Sequence, residues 1–329
     1  MTGVPGFDDV DGADRALRPR YLGEFVGQPR VTANLQVAID AARARKEVLD
    51  HVLFSGPPGL GKTSLAHIMA KEMDAPLVET AGPMLEKPGD LAGILSGLQA
   101  GSVLFVDEIH SLKRVVEEYL YAAMEDFRIS VQLGEGATAN ALTLNLQPFT
   151  LVAATTREGQ LTAPMRSRFG IHERLDLYRL DDMVHILRRS AELLEVAADD
   201  AGLREIAQRS RGTPRYGNNH LRRIRDLAQV RYDNRIDQAV ASEGLDMLGI
   251  DAAGLTELDR RILHCLAKHA RPVGLKTLAV TVGEEEHTVE DVYEPFLIRQ
   301  GLVIKTPSGR RLTAAGYGHL GLPAPEDVR

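Results

Sequence analysis

Nearly continuous apolar runs alternate with segments of helical spacing over the first half of the chain. Helical spacing is clear between Thr32 and Arg45 and again between Thr63 and Met73. Apolar runs without a polar residue at every second position are typical of strands buried on both faces of a parallel sheet. The pattern therefore predicts a parallel α/β domain, with helices on both faces of the sheet, as far as about residue 178. The predicted strands are residues 51–54, 76–78, 103–106 and 150–154.

The strand pattern disappears after Leu180, and helical spacing dominates as far as about Gly249. Nine arginines and three acidic residues lie between Arg204 and Arg235. This predicts a small helical domain with one basic face. Two interpretations of the arginines stay open, namely a solvated surface, which is usual for charged helices, and a functional basic surface.

The last part of the chain, from Leu255 to Leu322, shows three helical patterns followed by a hairpin pattern over residues 302–313. Three helices and a basic hairpin predict a winged-helix domain. The chain is thus divided into an acidic tail that we expect to be disordered (1–16), a large α/β domain (17–179), a helical domain (180–252) and a winged-helix head (253–329).

Composition narrows the functional classes. The single cysteine, Cys265, excludes an internal disulfide framework and lacks the spacing of a zinc site, so a cytoplasmic location fits best. No run of 18 or more apolar residues is present, and we expect neither export nor membrane insertion. The formal net charge of −7 means that any contact with nucleic acid must come from local basic patches.

The strongest chemical motif follows the first predicted strand. The run from Gly56 to Thr63, GPPGLGKT, matches the phosphate-binding pattern G-x-x-x-x-G-K-[ST] and precedes a predicted helix. Glycines allow backbone N–H groups to converge on phosphates, Lys62 neutralises the β and γ oxygens, and the hydroxyl of Thr63 can bind Mg²⁺ at the helix N-terminus. The motif predicts ATP and Mg²⁺ as cofactors.

A second motif places two adjacent carboxylates, Asp107 and Glu108, at the end of a predicted strand. Ligands bind at this edge of open α/β sheets. We expect Asp107 to hold Mg²⁺ through water and Glu108 to orient the attacking water, which predicts hydrolysis rather than binding alone. Thr155, paired with Thr156 after the next strand, places a hydroxyl where it can position water or the γ-phosphate.

Two arginine segments complete the predicted catalytic set. Arg166 and Arg168 lie in a short segment after the strand that ends near Thr155, and one of them can reach the ATP of a neighbouring subunit. Such an arginine, supplied in trans, requires a ring. Arg215, at the start of a helix in the second domain, can reach the γ-phosphate and couple hydrolysis to domain rotation.

Motifs in a fixed order along residues 15–322 resemble the RuvB family of AAA+ ATPases. They are Leu17-Arg18-Pro19, Phe25-Val26-Gly27-Gln28, GPPGLGKT, LFVDEIH, Ala123 to Phe127, ATTREG, Arg166 to Gly170, GTPR, Leu258 to Arg261, Val289 to Pro295 and His319 to Gly321. The resemblance implies an ATPase domain, a lid and a winged-helix head in a hexameric ring around duplex DNA. It further implies ATP-dependent, helicase-type branch migration of four-way Holliday junctions with RuvA and RuvC, in recombination, DNA repair and the SOS response.

The resemblance also carries roles to individual residues. Leu17 and Arg18 are implied on the adenine side, and Tyr178 against the base. Arg168 is implied as the trans arginine and Arg215 as the lid sensor. Nucleotide contacts are implied for Gly59, Gly61, Lys62, Thr63, Ser64, Glu125, Asp126 and Phe127, and DNA phosphate contacts for Lys305 and Arg310.

The chain departs from the family pattern in three places. The hairpin after Asp126-Phe127, where the family docks on RuvA, has one acidic and no basic residue between Val131 and Ala141, so this contact is expected to be atypical. The run between Tyr216 and His220 replaces an apolar segment with His220 and a glycine that disfavours helix. The head hairpin has Ser308 in place of an arginine.

Two other functional classes compete with a DNA motor. A clamp loader or helicase loader shares the nucleotide motifs, and the basic winged-helix hairpin distinguishes the motor from it. A DNA-binding regulator that uses nucleotide as a switch would lack the catalytic carboxylate or the trans arginine. Glu108 and Arg168 are both present, so this class ranks last.

Overall fold

The computed structural model describes residues 16–133 and 140–326, without the side chains of residues 131–142. The predicted tail, apart from Ala16, and the tip of the hairpin between Val131 and Ala141 therefore lie outside the described residues. The chain forms two compact units. Of the described residues, those up to 195 together with 212–218 form one unit, and 196–211 together with those from 219 onward form the other.

The first unit is a parallel sheet with helices between its strands. Its helices are α1 (Pro29–Arg45), α2 (Lys62–Glu72), α3 (Pro88–Ser96), α4 (Arg114–Asp126), α5 (Ala163–Ser167) and α6 (Leu180–Leu193), with 3-10 turns at Leu22–Glu24, Gly82–Met84, Ile109–Ser111 and Glu158–Gln160. Its strands are β1 (Val52–Ser55), β2 (Leu77–Ala81), β3 (Val103–Asp107), β4 (Arg128–Leu133), β5 (Asn140–Asn145), β6 (Thr150–Thr155) and β7 (Ile171–Arg174).

The five-stranded sheet has the order β2-β3-β6-β1-β7, and all of its pairs are parallel. Strands β1 and β6 are buried along their whole length, as their continuous apolar sequences require. Ser55 pairs with Thr155, and Ala81 with Asp107, so the carboxyl ends of the central strands meet at one edge. The predicted parallel α/β fold is confirmed.

Two features of the first unit lie outside the four predicted strands: the first, strand β7, was not predicted, and the second is the hairpin that the family resemblance implied after Phe127. Strand β7 forms the sheet edge beside β1, and only Glu173 of its four residues is buried. Strands β4 and β5 form a separate antiparallel hairpin in which Arg128 pairs with Asn145. Neither segment has the continuous apolar run that marks the four central strands.

The second unit contains the rest of the lid and the head. Its elements are β8 (Ala197–Ala198), α7 (Asp200–Gln208), α8 (Pro214–Arg231, whose first turn belongs to the first unit), β9 (Arg235–Ile236), α9 (Gln238–Met247), α10 (Glu257–Ala267), α11 (Leu275–Val282), α12 (Glu286–Thr288), a π-helical turn (Val289–Tyr293), α13 (Glu294–Arg299), β10 (Val303–Thr306), β11 (Gly309–Leu312) and α14 (Ala314–His319).

The helical lid contains a short strand pair that the sequence did not reveal. Ala197 and Ala198 pair in parallel with Arg235 and Ile236. The expectation that strands are absent between Leu180 and Gly249 was therefore wrong, since a two-residue strand is too short to form an apolar run.

Two of the lid arginines have an internal structural role. Arg209 binds Glu205, Asp246 and the carbonyl of Ile250. Arg211 bonds Asp259, and its guanidinium lies 4.1 Å from the centroid of the Phe296 ring. For these two arginines the interpretation as a solvated surface was wrong.

The head has the predicted three helical segments and hairpin. Strands β10 and β11 are antiparallel, with Val303 opposite Leu312, and both side chains join the buried core of the head. Helix α10 begins at a capping box in which the Thr256 side chain accepts from the backbone N–H of Asp259. Helix α14, which follows the hairpin, was not predicted. No helix in the described part of the chain is long and apolar enough to cross a membrane.

Candidate active site

A cavity of about 390 Å³ opens at the carboxyl edge of the sheet, where β1 and β3 end and α2 begins. The structure brings most of the predicted nucleotide-binding residues to its wall, and Phe25, Ile186, Arg189 and Asn218, which were not predicted, line it as well. The predicted residues on the wall are Leu17, Arg18, Gly59, Gly61, Lys62, Thr63, Ser64, Asp107, Glu108, Tyr178 and Arg215.

The P-loop backbone depends on its glycines. Gly56, Gly59 and Gly61 have φ angles of 129°, 76° and 103°, a region that side chains disfavour. A Cβ on Gly56 would lie 2.4 Å from the carbonyl oxygen of Leu175, and one on Gly59 would lie 2.8 Å from the Cβ of Arg215. The loop therefore curves tightly into the N-terminus of α2, where backbone N–H groups and the helix dipole favour phosphate.

Lys62 and Asp107 place opposite charges in the buried part of the cavity. The Lys62 ammonium donates to the carbonyls of Gly56 and Pro57, at 2.8 and 2.9 Å. Burial lowers the pKa of Lys62, while the charges of Glu108 and Asp107 oppose this shift. Burial likewise raises the pKa of Asp107, against the N–H of Glu108 and the charges of Lys62 and Arg215. Both groups are thus partly desolvated, which strengthens their interaction with a charged ligand.

Thr63 and Asp107 are the wall residues with suitable chemistry for Mg²⁺, since this ion prefers oxygen ligands. Within the described residues, no cluster of three His, Cys, Asp or Glu side chains forms a metal cage. A hydroxyl and a carboxylate fit Mg²⁺ nonetheless, because this ion keeps several waters and usually shares phosphate oxygens with few protein ligands.

Tyr178 connects the side of the cavity predicted to hold the base to the P-loop. Its hydroxyl donates to the carbonyl of Leu60 at 3.0 Å, and burial raises its pKa. Its ring lies against Gly27, where a Cβ would approach Cε1 to 2.8 Å. Arg189 donates to the carbonyl of Leu17 at 2.8 Å and so fixes the predicted adenine-contacting segment. Arg189 was not predicted from the sequence.

Glu108 has an unusual backbone at the end of β3, with φ 47° and ψ 48°. Its carbonyl accepts from the Ser111 hydroxyl at 2.7 Å, and its N–H donates to the Asp107 carboxylate at 2.9 Å. Gly82 packs against this turn, and a Cβ there would lie 2.5 Å from the Glu108 carbonyl oxygen. These contacts hold a left-handed residue that would otherwise be disfavoured, and they fix the direction of its side chain.

The hydroxyl next to the Glu108 carboxylate belongs to Thr156. Its Oγ1 donates to Glu108 Oε2 at 3.1 Å. Thr155, the predicted catalytic hydroxyl, is fully buried, and its Oγ1 contacts His110 Nδ1 and the N–H of Arg157, each at 3.0 Å. Among the described residues, Thr155 does not line the cavity, and the hydroxyl of the Thr155-Thr156 pair that contacts Glu108 is that of Thr156.

Arg215, a predicted catalytic arginine, lies in the first turn of α8 beside the P-loop. Its N–H lies 3.4 Å from the carbonyl of Gly59, and its exposed side chain lines the cavity. The lid segment at Gly212 is held close by Tyr178, whose N–H donates to the Gly212 carbonyl at 2.9 Å. A cation at this position can reach a phosphate bound at the start of α2.

Arg168 lies in a second cluster, away from the cavity of its own chain. Its Nη2 is 3.1 Å from Glu125 Oε1, and its guanidinium stacks 4.3 Å from the centroid of the Tyr121 ring. Among the described residues, neither Arg168 nor Glu125, Asp126 and Phe127 line the nucleotide cavity. Phe127 packs on Phe149 instead, with ring centroids 5.8 Å apart.

The two predicted DNA contacts in the head differ sharply. Lys305 is 53% exposed on β10, and its ammonium is 2.7 Å from Glu290 Oε1. Arg310 is only 7% exposed and bonds Glu294 through Nε and Nη2. Because Nε and Nη2 of Arg310 are engaged by Glu294, this arrangement does not favour the predicted contact of Arg310 with DNA phosphates.

A sheet of this order, with a P-loop and a carboxylate pair at its carboxyl edge and a helical lid beyond, defines a P-loop ATPase of the AAA+ class. Family models match the three parts of the chain in turn. They describe the Holliday junction DNA helicase RuvB P-loop domain at residues 17–175, the RuvB AAA lid domain at 178–251 and the RuvB C-terminal winged helix domain at 252–321. The chain belongs to the RuvB family.

Solved structures agree with this assignment. The chain is 46% identical to the RuvB Holliday junction branch migration motor of Thermotoga maritima, with a TM-score of 0.85 over 94% of this chain and 100% of that one. A lysine-to-arginine mutant of the same RuvB gives 46% identity and a TM-score of 0.86, over 94% of this chain and 99% of the other.

Proposed function

We propose that this protein is an ATP-hydrolysing DNA motor of the helicase type, which moves the branch point of Holliday junctions. One observation carries the proposal: Lys62, Asp107 and Glu108 line one cavity in a chain that ends in a winged-helix domain. These three residues supply the charged groups that ATP hydrolysis needs, and the head supplies a DNA-binding module. Loaders share the first feature, but the winged-helix head favours a motor.

ATP binds with its phosphates on the P-loop and its base near Leu17, Arg18 and Tyr178. Backbone N–H groups at Gly59 and Gly61 and the Lys62 ammonium bind the phosphate oxygens, aided by the start of α2. Thr63 and Asp107 hold Mg²⁺, with Ser64 beside them. When bound, Mg²⁺ neutralises charge on the phosphate oxygens.

Glu108 orients the attacking water at the carboxyl edge of β3. Its left-handed backbone and the Thr156 hydrogen bond fix the carboxylate direction. An oriented carboxylate can accept a hydrogen bond from the water. The lone pair of the water oxygen is then directed at the phosphorus of the γ-phosphate. Arg215 contacts the γ-phosphate from the lid. When that phosphate is released, the lid loses this contact with the nucleotide.

Hydrolysis is completed by a neighbouring subunit. Arg168, together with Glu125, Asp126 and Phe127, borders the nucleotide of the next subunit, in a homohexameric ring. Support comes from the position of Arg168 and Glu125 in one cluster away from their own cavity. A cation supplied at this point stabilises the charge that develops during phosphoryl transfer.

DNA is bound by the head, in which the exposed Lys305 contacts backbone phosphates. Phosphate contacts suit a motor, because they do not depend on sequence. The ring acts in the cytoplasm on duplex arms of four-way junctions in recombination and DNA repair, with RuvA and RuvC as partners. The hairpin between Val131 and Ala141 forms the RuvA contact without basic residues. The domains are residues 17–179, 180–252 and 253–329.

Branch migration of a synthetic four-way junction tests the proposal. The assay uses ATP and Mg²⁺, with and without RuvA, and compares the wild type with Glu108→Gln and Arg168→Ala. We expect migration that needs ATP and is lost in both variants. Absence of migration under every condition, with ATP hydrolysis still stimulated by DNA, would contradict the motor and favour a loader.

A further inference from the structure

His110 lies behind the candidate active site, next to Glu108, and none of the steps above uses it. It belongs to the 3-10 turn Ile109–Ser111 directly after Glu108, and its side chain is only 11% exposed. Its Nδ1 lies 3.1 Å from Glu108 Oε2 and 3.0 Å from Thr155 Oγ1. One ring nitrogen therefore faces both the carboxylate predicted to orient water and the end of strand β6.

The groups around Nδ1 determine which tautomer of His110 is favoured. If Nδ1 carries the proton, it can donate to Thr155 Oγ1, and its positive N–H end attracts the Glu108 carboxylate oxygen 3.1 Å away. If Nδ1 is bare, it can accept from the Thr155 hydroxyl, but its lone pair then faces the Glu108 carboxylate at hydrogen-bond distance and repels it. Thr155 Oγ1 already accepts from the N–H of Arg157 and has a second lone pair for a further donor. The Nδ1–H tautomer therefore removes this repulsion and gives Thr155 Oγ1 a second donor.

Glu108 Oε2 then accepts a hydrogen bond from Oγ1 of Thr156 and lies 3.1 Å from the Nδ1–H of His110, while backbone contacts fix the start of its side chain. A carboxylate held at one oxygen cannot rotate freely, and its second oxygen keeps a set direction. A water accepted by that second oxygen is therefore held in a set position. Positioning within a fraction of an ångström has a large effect on reaction rates.

We propose that His110 is a positioning residue for hydrolysis, which holds the Glu108 carboxylate through Nδ1–H and links it to Thr155 at the end of β6. This inference rests on the proposed ATPase activity and on the role of Glu108 in it. His110 touches neither the nucleotide nor the reacting water, and it acts through Glu108. The ring acts in its neutral form, in agreement with a pKa that burial lowers.

Three substitutions at one position separate the Nδ1 donor from simple packing. His110→Asn places an amide N–H near the position of Nδ1, His110→Gln places it near that of Nε2, and His110→Phe keeps a ring without a donor. We expect the Gln and Phe variants to lower kcat for ATP hydrolysis by about ten- to a hundredfold, as for loss of one polar donor beside a charged group. KM should stay within about threefold, and His110→Asn should recover most of the rate.

The full chain is assayed with duplex DNA and Mg²⁺, and ATP binding and thermal unfolding are measured on the same preparations. A second test combines His110→Phe with Glu108→Gln. Because His110 acts through Glu108, it should cause no further loss in that background. Multiplied effects in the double variant, or a Phe variant with the rate of the wild type, would overturn the proposal.

This outcome is distinguishable from failure of the proposed function. If the wild type hydrolyses ATP but does not move junctions, the motor is contradicted, while the His110 variants still test the positioning role on ATP hydrolysis. If the wild type moves junctions and His110→Gln hydrolyses ATP at the same rate, the motor stands and the positioning role fails.

Discussion

Arg310 and Glu294 form a buried ion pair beneath the hairpin of the head. Arg310 donates from Nε and Nη2 to the two carboxylate oxygens of Glu294, and the two residues are 7% and 2% exposed. The backbone of Arg310 also exchanges two hydrogen bonds with Val273, at 2.7 and 2.8 Å. The residue therefore fastens strand β11 to helix α13 and to the segment before α11.

We expect Arg310→Met to destabilise the head, because it leaves the Glu294 carboxylate buried without its partner. Breaking a buried pair from one side costs about 3–5 kcal/mol. Thermal unfolding, together with hydrogen exchange along β10 and β11, measures the loss. The double variant Arg310→Met/Glu294→Leu removes both charges and should recover most of the stability. An Arg310→Met variant that unfolds like the wild type and only binds DNA more weakly would contradict this role.

Lys305 is expected to behave in the opposite way, since its ammonium is exposed and its ion pair with Glu290 lies at the surface. Lys305→Ala should leave thermal unfolding nearly unchanged and weaken DNA binding. The slope of log affinity against log salt should fall in magnitude by about 1, as for loss of one phosphate contact. Titration of a labelled duplex at several salt concentrations gives this slope. An unchanged slope would exclude Lys305 from the DNA interface.

Glu290 holds the Lys305 ammonium at 2.7 Å and Arg310 Nη2 at 3.2 Å through the same oxygen. Both contacts lower the pKa of the Glu290 carboxyl, and the hydrogen bond from Lys305 makes the larger contribution. Glu290→Gln should raise DNA affinity by about two- to fivefold, because it removes a negative charge beside the proposed phosphate contact. Glu257→Gln removes the same charge from an exposed position on α10 and serves as the control. If both variants raised DNA affinity equally, the increase would come from net charge alone and not from the position of Glu290.

The sequence predicted the central strands and the P-loop because both depend on short-range patterns. Apolar runs specify buried strands, and the phosphate loop needs its glycines at fixed spacing. The side-chain contacts of Thr156 and Arg310 could not be predicted in this way. Thr156 contacts Glu108, 48 residues away in the sequence, and the direction of the Arg310 side chain is fixed by Glu294 on another element. Such contacts depend on how the elements pack.

Two variants that are each inactive alone should regain ATPase activity when they are mixed, if Arg168 acts on a neighbouring subunit. Lys62→Ala damages the cavity of its own chain, and Arg168→Ala damages only what the chain supplies to the next one. In mixed rings an Arg168→Ala subunit beside a Lys62→Ala subunit has a complete site. An equal mixture should regain up to about a quarter of the wild-type ATPase rate, as for random neighbours in a closed ring. Rates are measured after mixing with duplex DNA.

A matched mixture provides the control. Lys62→Ala and Glu108→Gln both damage the cavity of their own chain, so no arrangement of these two variants produces a complete site. Their mixture should remain inactive. Arg168 would be a residue of its own chain's site if the first mixture also stayed inactive.

His220 makes the stability of the second unit depend on pH. Burial, with a smaller contribution from the charge of Arg211, lowers its pKa from 6.5 to about 4, and its Nδ1 lies 3.3 Å from the Ser210 hydroxyl. Between these two values the unfolded chain binds a proton that the folded chain does not, so stability falls as pH decreases. The loss is negligible above about pH 7.5, begins as pH falls through 6.5 and amounts to roughly 3 kcal/mol by pH 4.

The variant His220→Asn isolates this effect, because its amide can still contact Ser210 but does not titrate. Wild type and variant are unfolded by denaturant at a series of pH values from 7.5 to about 4. The difference in free energy of unfolding between them should shift against the wild type as pH falls through that window, while carboxylates common to both chains cancel. A difference that stays constant with pH would show that His220 takes up its proton in the folded chain as readily as in the unfolded one.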